Sequence, residues 1–382
     1  MNFVALKMLI GDTAKYIGII FGVMFASLIM TQQPSIFVGL MSRTYGFITD
    51  TNYPDLWVMD PKVRYVDDIK PMQDTKLLRV RGIEGIKWAV PLYKGNLKVK
   101  TSDGNFQNAV MIGVDTSTLI GAPAVMLEGS IADLRKSDAI ILNKEGAEKL
   151  GVLKPDGTKD PIKIGDTLEI NDKRAVVVGM AQTSRSFQSQ PLIYTTYSRA
   201  VGYSPAERLK MSFIVAGIKP GYEAEAVKKN INDRTGLIAH TTAQFKDITL
   251  NYFMKNTGIP INFGISVLLG FIVGAAVAGQ MFYNFTHDNI KQFGALKAMG
   301  TSNLTLVRMI MIQAALAGFT GWGIGVGLAS LFGYSMSGSV LAFKMVWQIP
   351  VLSGTGVIII MLIASLISMI KVIRLEPAIV FK

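Results

Sequence analysis

Few residues of this 382-residue chain have the types and spacing that catalysis or metal binding requires. The two histidines, His240 and His287, are far apart in the sequence, which disfavours a histidine metal site. Asp67 and Asp68 are adjacent, so in a strand they would face opposite sides and make a poor acid–base pair. The sequence therefore offers no candidate catalytic residue and no metal site.

Patterns for a nucleophile or a bound nucleotide are missing as well. Ser184, Ser186 and Ser189 lie in a polar stretch without the nucleophile-elbow pattern, and the chain has no cysteine. No Gly-x-x-x-x-Gly-Lys-Ser/Thr sequence occurs, so the chain has no P-loop for ATP. The glycines between 321 and 327 are spaced as in a phosphate-binding loop, but no strand precedes them. Their apolar surroundings favour close helix packing instead. We expect neither an enzyme nor a cofactor bound by this chain.

The most informative segment is a short polar island near the end of the chain. It runs from His287 to Gly300 between two stretches, 259–283 and roughly 304–335, that are apolar enough to cross a bilayer. Such a connector lies at the membrane surface, and three basic residues indicate the cytoplasmic side: Lys291, Lys297 and Arg308. Apolar residues at helical spacing predict a surface helix: Ile290, Phe293, Leu296 and Met299. A solvated loop that merely anchors the two spans is the alternative.

Two further apolar stretches complete a predicted topology of four spans. The first runs over about 15–30, is interrupted at 31–34 and continues as an apolar stalk over 35–40. We interpret it as an uncleaved span, because it is long for a signal peptide and no clear small-x-small cleavage site follows. The residues before it, 2–12, either form a short helix on the inner membrane surface or extend the span. The last span runs over about 353–370.

The distribution of charge separates a large soluble part from the spans. Residues 41–258 hold 30 of the 39 Lys and Arg and 24 of the 27 Asp and Glu. The basic residues of this segment are scattered among acidic residues, and those outside it follow the positive-inside rule. The net charge of +12 therefore does not indicate a nucleic-acid partner. Both ends of the chain are therefore expected inside the cell, with one large excursion outside.

The excursion alternates strand and helix signals, which predicts an α+β domain. Expected strands cover 86–90, 96–100, 107–114 and 212–216, with a hairpin of 167–170 and 175–178 about Asn171 and Asp172. Expected helices cover 143–150 and 220–235, the second capped by Gly236. We expect a second lobe inserted at about 120–205.

These observations divide the chain into three parts. Residues 1–40 hold the surface helix and the first span, 41–258 the extracytoplasmic α+β domain, and 259–382 three spans with the surface helix at about 287–300 between the first two. Small-xxx-small spacing in the second span lets helices approach closely in lipid: Gly270, Gly274 and Ala278. This face would contact either a second copy of the chain or the neighbouring spans of the same copy.

Four spans, the excursion and the island together resemble the permease subunits of type VII ABC transporters, the MacB-like family with an FtsX-like domain. The opening from Asn2 to Gly22 and the ending Ile373-Arg-Leu-Glu-Pro-Ala-Ile-Val380 are similar to those of the family. The string Lys291-Gln-Phe-Gly-Ala-Leu-Lys-Ala-Met-Gly300 resembles the family's coupling motif, and its last eight residues most resemble the DevC-like branch. Gln292 stands where the family usually has an acidic residue. This difference weakens an ion pair with the ATPase but leaves the helix intact.

The resemblance implies a non-catalytic permease that transmits force. Two copies would form a homodimer with two separate ABC ATPase subunits, which use ATP and Mg²⁺, and each ATPase would dock on the coupling helix. The implied coupling residues are Ile290, Lys291, Gln292, Phe293, Gly294, Leu296, Lys297, Met299 and Gly300. We expect Phe293 and Leu296 to pack into the ATPase groove. The chain would cross the bacterial inner membrane in contact with membrane lipid, with its large domain in the periplasm.

Three functions share this machinery. The leading function is export together with a periplasmic adaptor (a membrane fusion protein) and an outer-membrane duct. The second is extraction of a lipoprotein or lipid from the outer leaflet. The third is a regulatory scaffold that controls an extracytoplasmic hydrolase or a sensor kinase. The partner bound to the outer domain separates the three, and the sequence does not identify a transported substrate.

Overall fold

A computed structural model describes residues 2–51, 53–101, 103–153, 159–205, 210–336 and 339–374. The chain forms two compact units, one made of Met1–Leu40 with Gly258–Lys382 and the other of Met41–Thr257. Most of the family-like ending, from Leu375 to Val380, lies outside the described residues.

The described residues contain twelve α-helices. They are α1 (Asn2–Gly11), α2 (Thr13–Thr44), α3 (Gly46–Asp50), α4 (Thr75–Arg81), α5 (Lys144–Lys149), α6 (Tyr197–Tyr203), α7 (Ala224–Thr235), α8 (Thr242–Asn256), α9 (Ile259–Asp288), α10 (Ile290–Ala298), α11 (Asn303–Ser335) and α12 (Gln348–Ile373). A short 3₁₀ helix covers Ile131–Arg135.

Four of these helices, α2, α9, α11 and α12, are long and apolar enough to cross a membrane, so the predicted four spans are confirmed. The first span is one continuous helix, although an interruption was expected at 31–34, and Pro34 lies inside it. Asp12 separates α1 from α2, where its carboxylate accepts a hydrogen bond from Lys15 Nζ at 2.6 Å. The residues before the first span therefore form a helix of their own.

Buried apolar side chains from α1, α2 and α9–α12 form one core in the first unit. Glycines bring α11 against α2: a Cβ on Gly321 would lie 2.7 Å from Cβ of Val23, and one on Gly325 would lie 2.6 Å from the carbonyl oxygen of Met24. The glycines between 321 and 327 thus lie in the middle of a helix, and two of them permit a backbone approach that any side chain would prevent.

The second unit is built on a sheet. Its strands are β1 (Leu56–Met59), β2 (Ile86–Lys100), β3 (Phe106–Val114), β4 (Val125–Glu128), β5 (Ala139–Asn143), β6 (Val152–Leu153), β7 (Lys159–Asp160), β8 (Thr167–Ile170), β9 (Lys173–Gln182), β10 (Leu192–Thr196), β11 (Phe213–Ile218) and β12 (Ile238–Thr241). The strand order is β12-β1-β11-β2-β3-β10-β5-β9-β4, with β8 pairing with both β2 and β9. The strands β6 and β7 pair separately.

Alternate residues of the strands face two cores, as the pleat of a strand requires. In β1, Trp57 and Met59 join a core that contains Phe245 of α8, whereas Leu56 and Val58 join a core that contains Val227 of α7. Helices therefore cover both faces at this end of the sheet, and the large α+β domain predicted between the first and second spans is confirmed.

One strand differs from the expectation. The segments 86–90 and 96–100 were expected to be separate strands, but β2 runs unbroken through Pro91 and Gly95. Its first half pairs with β11 up to Leu92, and its second half pairs with β3 from Tyr93 onward. Pro91, which has no N–H to donate, lies just before this change of partner, where a strand tolerates a missing donor.

Candidate functional site

The candidate coupling helix α10 is fixed in direction by the turns on either side of it. Asn289 ends α9, and its side-chain amide donates to the carbonyl oxygen of Phe285 at 2.8 Å. After α10, Gly300 adopts φ of 90°, a conformation that favours glycine. Ser302 then caps α11 by accepting a backbone N–H through its hydroxyl. The nine residues of α10 are therefore held firmly between two spans.

The apolar face of α10 packs inward. Phe293 is fully buried in the core of the bundle, Gly294 is also buried, and Leu296 is partly buried against the same core. The expectation that Phe293 inserts into a groove of the ATPase is therefore wrong for this structure, because a ring already removed from solvent has no surface left for a partner. Its burial instead joins α10 to the spans.

The outward face of α10 combines polar and apolar groups. Lys291, Gln292 and Ala298 are exposed, and Met299 is 75 % exposed at the end of the helix. Two other predicted coupling residues are half-buried: Ile290 and Lys297. This face remains available to a partner.

A polar contact links α10 to the last span. The ammonium group of Lys297 donates to the carbonyl oxygen of Ile373, at the end of α12, at 2.8 Å. Nearby, Lys371 of α12 donates to the hydroxyl of Tyr283 at 2.8 Å and lies 2.9 Å from Nδ1 of His287, both in α9. The same end of the bundle is therefore tied together across α9, α10 and α12.

An ion pair joins the start of the first span to the end of the second. Lys15 lies 2.6 Å from the carboxylate of Asp12 and 2.7 Å from that of Asp288, which directly precedes the turn into α10. All three side chains retain access to solvent, so the pairs contribute little to stability and chiefly set geometry.

A groove of about 780 Å³ lies beside the outward face of α10. It is lined by α1, the start of α2, Asn289 and Gln292. The position of α1 is fixed by Gln313, a fully buried residue of α11 whose side-chain nitrogen donates to the carbonyl oxygen of Ala5 at 2.8 Å. The surface open to a partner is thus formed by α1 and α10 together, and the sequence motif indicated only α10.

The small residues of the second span pack against the first span of the same copy. A Cβ on Gly274 would lie 2.1 Å from Cβ of Ala26, and one on Gly270 would lie 2.5 Å from Cγ2 of Ile29. Ala278 is fully buried, and a Cβ on Gly22 of α2 would lie 3.0 Å from its backbone nitrogen. Of the two arrangements left open by the sequence, the structure has the contact within one chain.

The acidic residues considered for catalysis are engaged in ion pairs. Asp68 binds Arg64 at 2.9 Å and Lys70 at 2.7 Å, and Asp67 binds the buried Lys94. Burial raises the pKa of Asp68, but the hydrogen bonds from Lys70 and Arg64 outweigh burial and hold that pKa below its usual range. A carboxylate held in its charged form by two cations is a structural group and a poor proton carrier.

The other polar candidates are engaged in local hydrogen bonds or partly buried. Ser184 donates its hydroxyl to Asp50 at 2.9 Å, and Ser189 accepts a hydrogen bond from Arg43 at 3.1 Å. Burial, reinforced by Lys228, lowers the pKa of His240. Among the described residues no group of three or more His, Cys, Asp and Glu side chains is placed to hold a metal ion.

Two protein families match this chain over most of its length. The MacB-like periplasmic core domain matches residues 16–234, and the FtsX-like permease C-terminal domain matches residues 263–377. The second match contains most of α9 and all of α10, α11 and α12.

Solved structures are similar over about half of the chain. The periplasmic region of MacB from Actinobacillus actinomycetemcomitans is 13% identical, with a TM-score of 0.39 over 55% of this chain and 96% of that one. The extracellular domain of the noncanonic ABC-type transporter YknZ from Gram-positive bacteria is 14% identical, with a TM-score of 0.35 over 49% of this chain and 98% of that one. A domain of a putative permease from Porphyromonas gingivalis is 12% identical, with a TM-score of 0.30 over 48% and 84%.

Proposed function

Because this chain belongs to the MacB-like permeases with an FtsX-like domain, a family of ABC transporter components, we propose that it couples ATP hydrolysis in a separate subunit to movement of its extracytoplasmic domain. The observation that carries the proposal is the two-sided character of α10. One face is buried among the spans through Phe293, and the other exposes Lys291, Gln292 and Met299. A partner that pushes on the outward face moves the spans with it.

The connections of α10 support this mechanism. The helix follows α9 after a single residue, Asn289, and a short turn joins it to α11. Lys297 attaches it to the end of α12. Since packed helices move as rigid bodies, displacement of α10 is passed to all three spans of the FtsX-like domain at once. Gln292 makes the docking face less acidic than is usual, so apolar contact through Met299 takes a larger share of the binding.

The assembly we propose has two copies of this chain and two ATPase subunits. ATP and Mg²⁺ are held by the ATPase, which agrees with the missing P-loop in this chain. On the far side of a bacterial inner membrane, the periplasmic domain works with an adaptor protein and an outer-membrane duct for export. Assignment to the DevC-like branch remains a prediction.

Purification of the tagged chain after cross-linking in cells tests the proposal. Partners are identified by mass spectrometry. An ATPase together with a periplasmic adaptor is the expected result. An ATPase with a bound lipoprotein or lipid would replace export by extraction, and an ATPase with a hydrolase or a sensor kinase would replace it by regulation. The lack of any ATPase would refute the mechanism.

The docking face is tested by Met299→Asp, with Met299→Leu as the matched control. We expect Met299→Asp to abolish recovery of the cross-linked ATPase, because a carboxylate desolvated at the contact has no partner. Met299→Leu retains an apolar side chain and should recover the ATPase normally. Since Met299 is 75 % exposed, both variants should accumulate in the membrane like the parent chain. Equal recovery of the ATPase with both variants would exclude this face.

A further inference from the structure

An apolar furrow of about 530 Å³ runs between α11 and α12. Its floor is made by small or buried residues where the two helices touch, and its rim is made by exposed side chains that include Phe319 and Ile358. A Cβ on Gly318 would lie 3.0 Å from Cγ of Met361, and one on Gly354 would lie 3.3 Å from the ring of Trp322. The missing side chains at these two positions let the helices approach closely, and this contact forms the floor of the furrow.

The polar groups of the furrow are satisfied within the protein. Trp322 Nε1 donates to the carbonyl oxygen of Pro350 and to Oγ of Ser353, each at 3.2 Å. The hydroxyl of Thr355 donates to the carbonyl oxygen of Val351 at 3.0 Å. A polar ligand segment would find no hydrogen-bond partner in the furrow, so the furrow accepts only a segment that is itself hydrocarbon.

The furrow is about as long as one leaflet of a bilayer is thick, and it lies within a single leaflet. Its lining extends from Met311 to Trp322 and from Val351 to Leu362, about 16 Å along each helix at ~1.5 Å per residue. Twenty residues, about 30 Å of helix, separate Val351 from Lys371, which matches the whole hydrocarbon core. The furrow thus occupies the half of the hydrocarbon core that is nearest the start of α12. The exposed Trp347 marks the membrane–water interface on that side.

The shape of the furrow selects a chain rather than a helix. Because α11 and α12 are in contact at Gly318, the space between them is a cleft on the surface of a helix pair. A volume of about 530 Å³ over a length of about 16 Å leaves a cross-section of roughly 33 Å², which is too small for a helix about 10 Å across but admits a single alkyl chain. We propose that the furrow binds one acyl chain of a membrane phospholipid, in the leaflet where α12 begins.

Photolabelling of the full-length chain in nanodiscs tests the proposal. The nanodiscs contain phosphatidylglycerol with a fraction of a phosphatidylglycerol analogue that carries a diazirine in its acyl chain, and labelled residues are located by mass spectrometry. Labels are expected to concentrate in 311–322 and 351–362.

The exposed Ala315 lines the furrow, so Ala315→Phe fills it from the lipid side. This variant should lower labelling there severalfold, because the ring occupies the space that the acyl chain would fill.

The matched control is Ala276→Phe, which places the same ring on the exposed face of α9 away from the furrow. Labelling at the furrow should equal that of the parent chain in this variant. Labelling of α9 by the probe verifies that Ala315→Phe remains folded in the membrane. Uniform labelling of all exposed span residues would overturn the proposal, as would the absence of label from 311–322 and 351–362.

Discussion

Gly274 occupies a place in α9 that has no room for a side chain. A Cβ there would lie 2.1 Å from Cβ of Ala26 and 3.1 Å from its Cα, so relief of the clash requires the two helices to separate. We expect Gly274→Leu to lower the stability of the purified chain by about 1–3 kcal/mol, the usual cost of overpacking a tight contact. Thermal unfolding in detergent measures the loss.

The control for this prediction is Gly279→Leu, in the same helix and the same membrane environment. A Cβ at Gly279 has no neighbouring atom within 4 Å, so the added side chain should be tolerated. Equal melting temperatures for both variants would contradict the assignment of Gly274 to a helix contact.

A second residue-scale prediction concerns the half-buried His240 in β12. Its folded-state pKa is lowered by burial and then by Lys228, so the unfolded chain binds a proton more readily. Stability is therefore unaffected above the ordinary pKa of about 6.5 and falls as pH drops from that value through the lowered folded pKa. Hydrogen exchange of β12 amides, corrected for intrinsic rates, should accelerate over this range. His240→Gln should reduce that acceleration, and an unchanged pH dependence would refute the role.

Residue roles were harder to predict than the helix that carries them. The spacing of Phe293, Leu296 and Met299 indicates helical periodicity, but periodicity does not say which neighbour covers an apolar residue. The bundle covers Phe293 and leaves Met299 exposed. The distinction depends on how Asn289 and Gly300 turn the chain, and these are tertiary details that the pattern does not contain.

Among the elements, the hairpin of β8 and β9 was predicted correctly, because its turn carries the residue types that tolerate a left-handed backbone. Asn171 and Asp172 have φ of 48° and 60°. The unbroken β2 was missed because proline and glycine ordinarily end strands, and only its change of partner explains the exception. The helix α8 was missed although Thr241 and Gln244 form a capping box, a signal visible in the sequence.

The hairpin turn provides an element-scale prediction. A β-branched residue resists positive φ, so Asp172→Val should destabilise the β8–β9 pairing by about 1–2 kcal/mol. Asp172→Gly should leave the pairing close to that of the parent chain. Hydrogen exchange of the β8 and β9 amides reports the difference. If the valine variant exchanges no faster than the glycine variant, the turn does not determine the pairing.

At the scale of the whole molecule, hydropathy was sufficient to predict four spans and one large domain, since a bilayer imposes length and composition directly. The order of strands in the sheet was not predictable. It depends on pairings such as β10 with β3, which are parallel and far apart in sequence. An inserted lobe at about 120–205 remains a prediction, and the strands of that segment other than β6 and β7 belong to the same sheet as β2 and β3.

The topology can be tested because the chain has no native cysteine. Single substitutions Asp103→Cys, in the exposed turn between β2 and β3, and Met299→Cys, after α10, place one thiol in each unit. We expect a membrane-impermeant maleimide to label the first in intact spheroplasts and the second only after the membrane is opened. Labelling of both from the same side would contradict the proposed orientation.

The position of β1 has a consequence for biogenesis. Its four residues, Leu56–Met59, are fully buried, yet the structure pairs β1 with β11 and β12, which begin at Phe213 and Ile238. At typical synthesis rates the intervening chain takes on the order of ten seconds to emerge. Throughout that time a fully apolar strand has left the translocation channel with both hydrogen-bonding edges open, a state prone to aggregation. Until β11 and β12 have crossed the membrane, β1 is therefore the part of this domain most exposed to pairing with another chain.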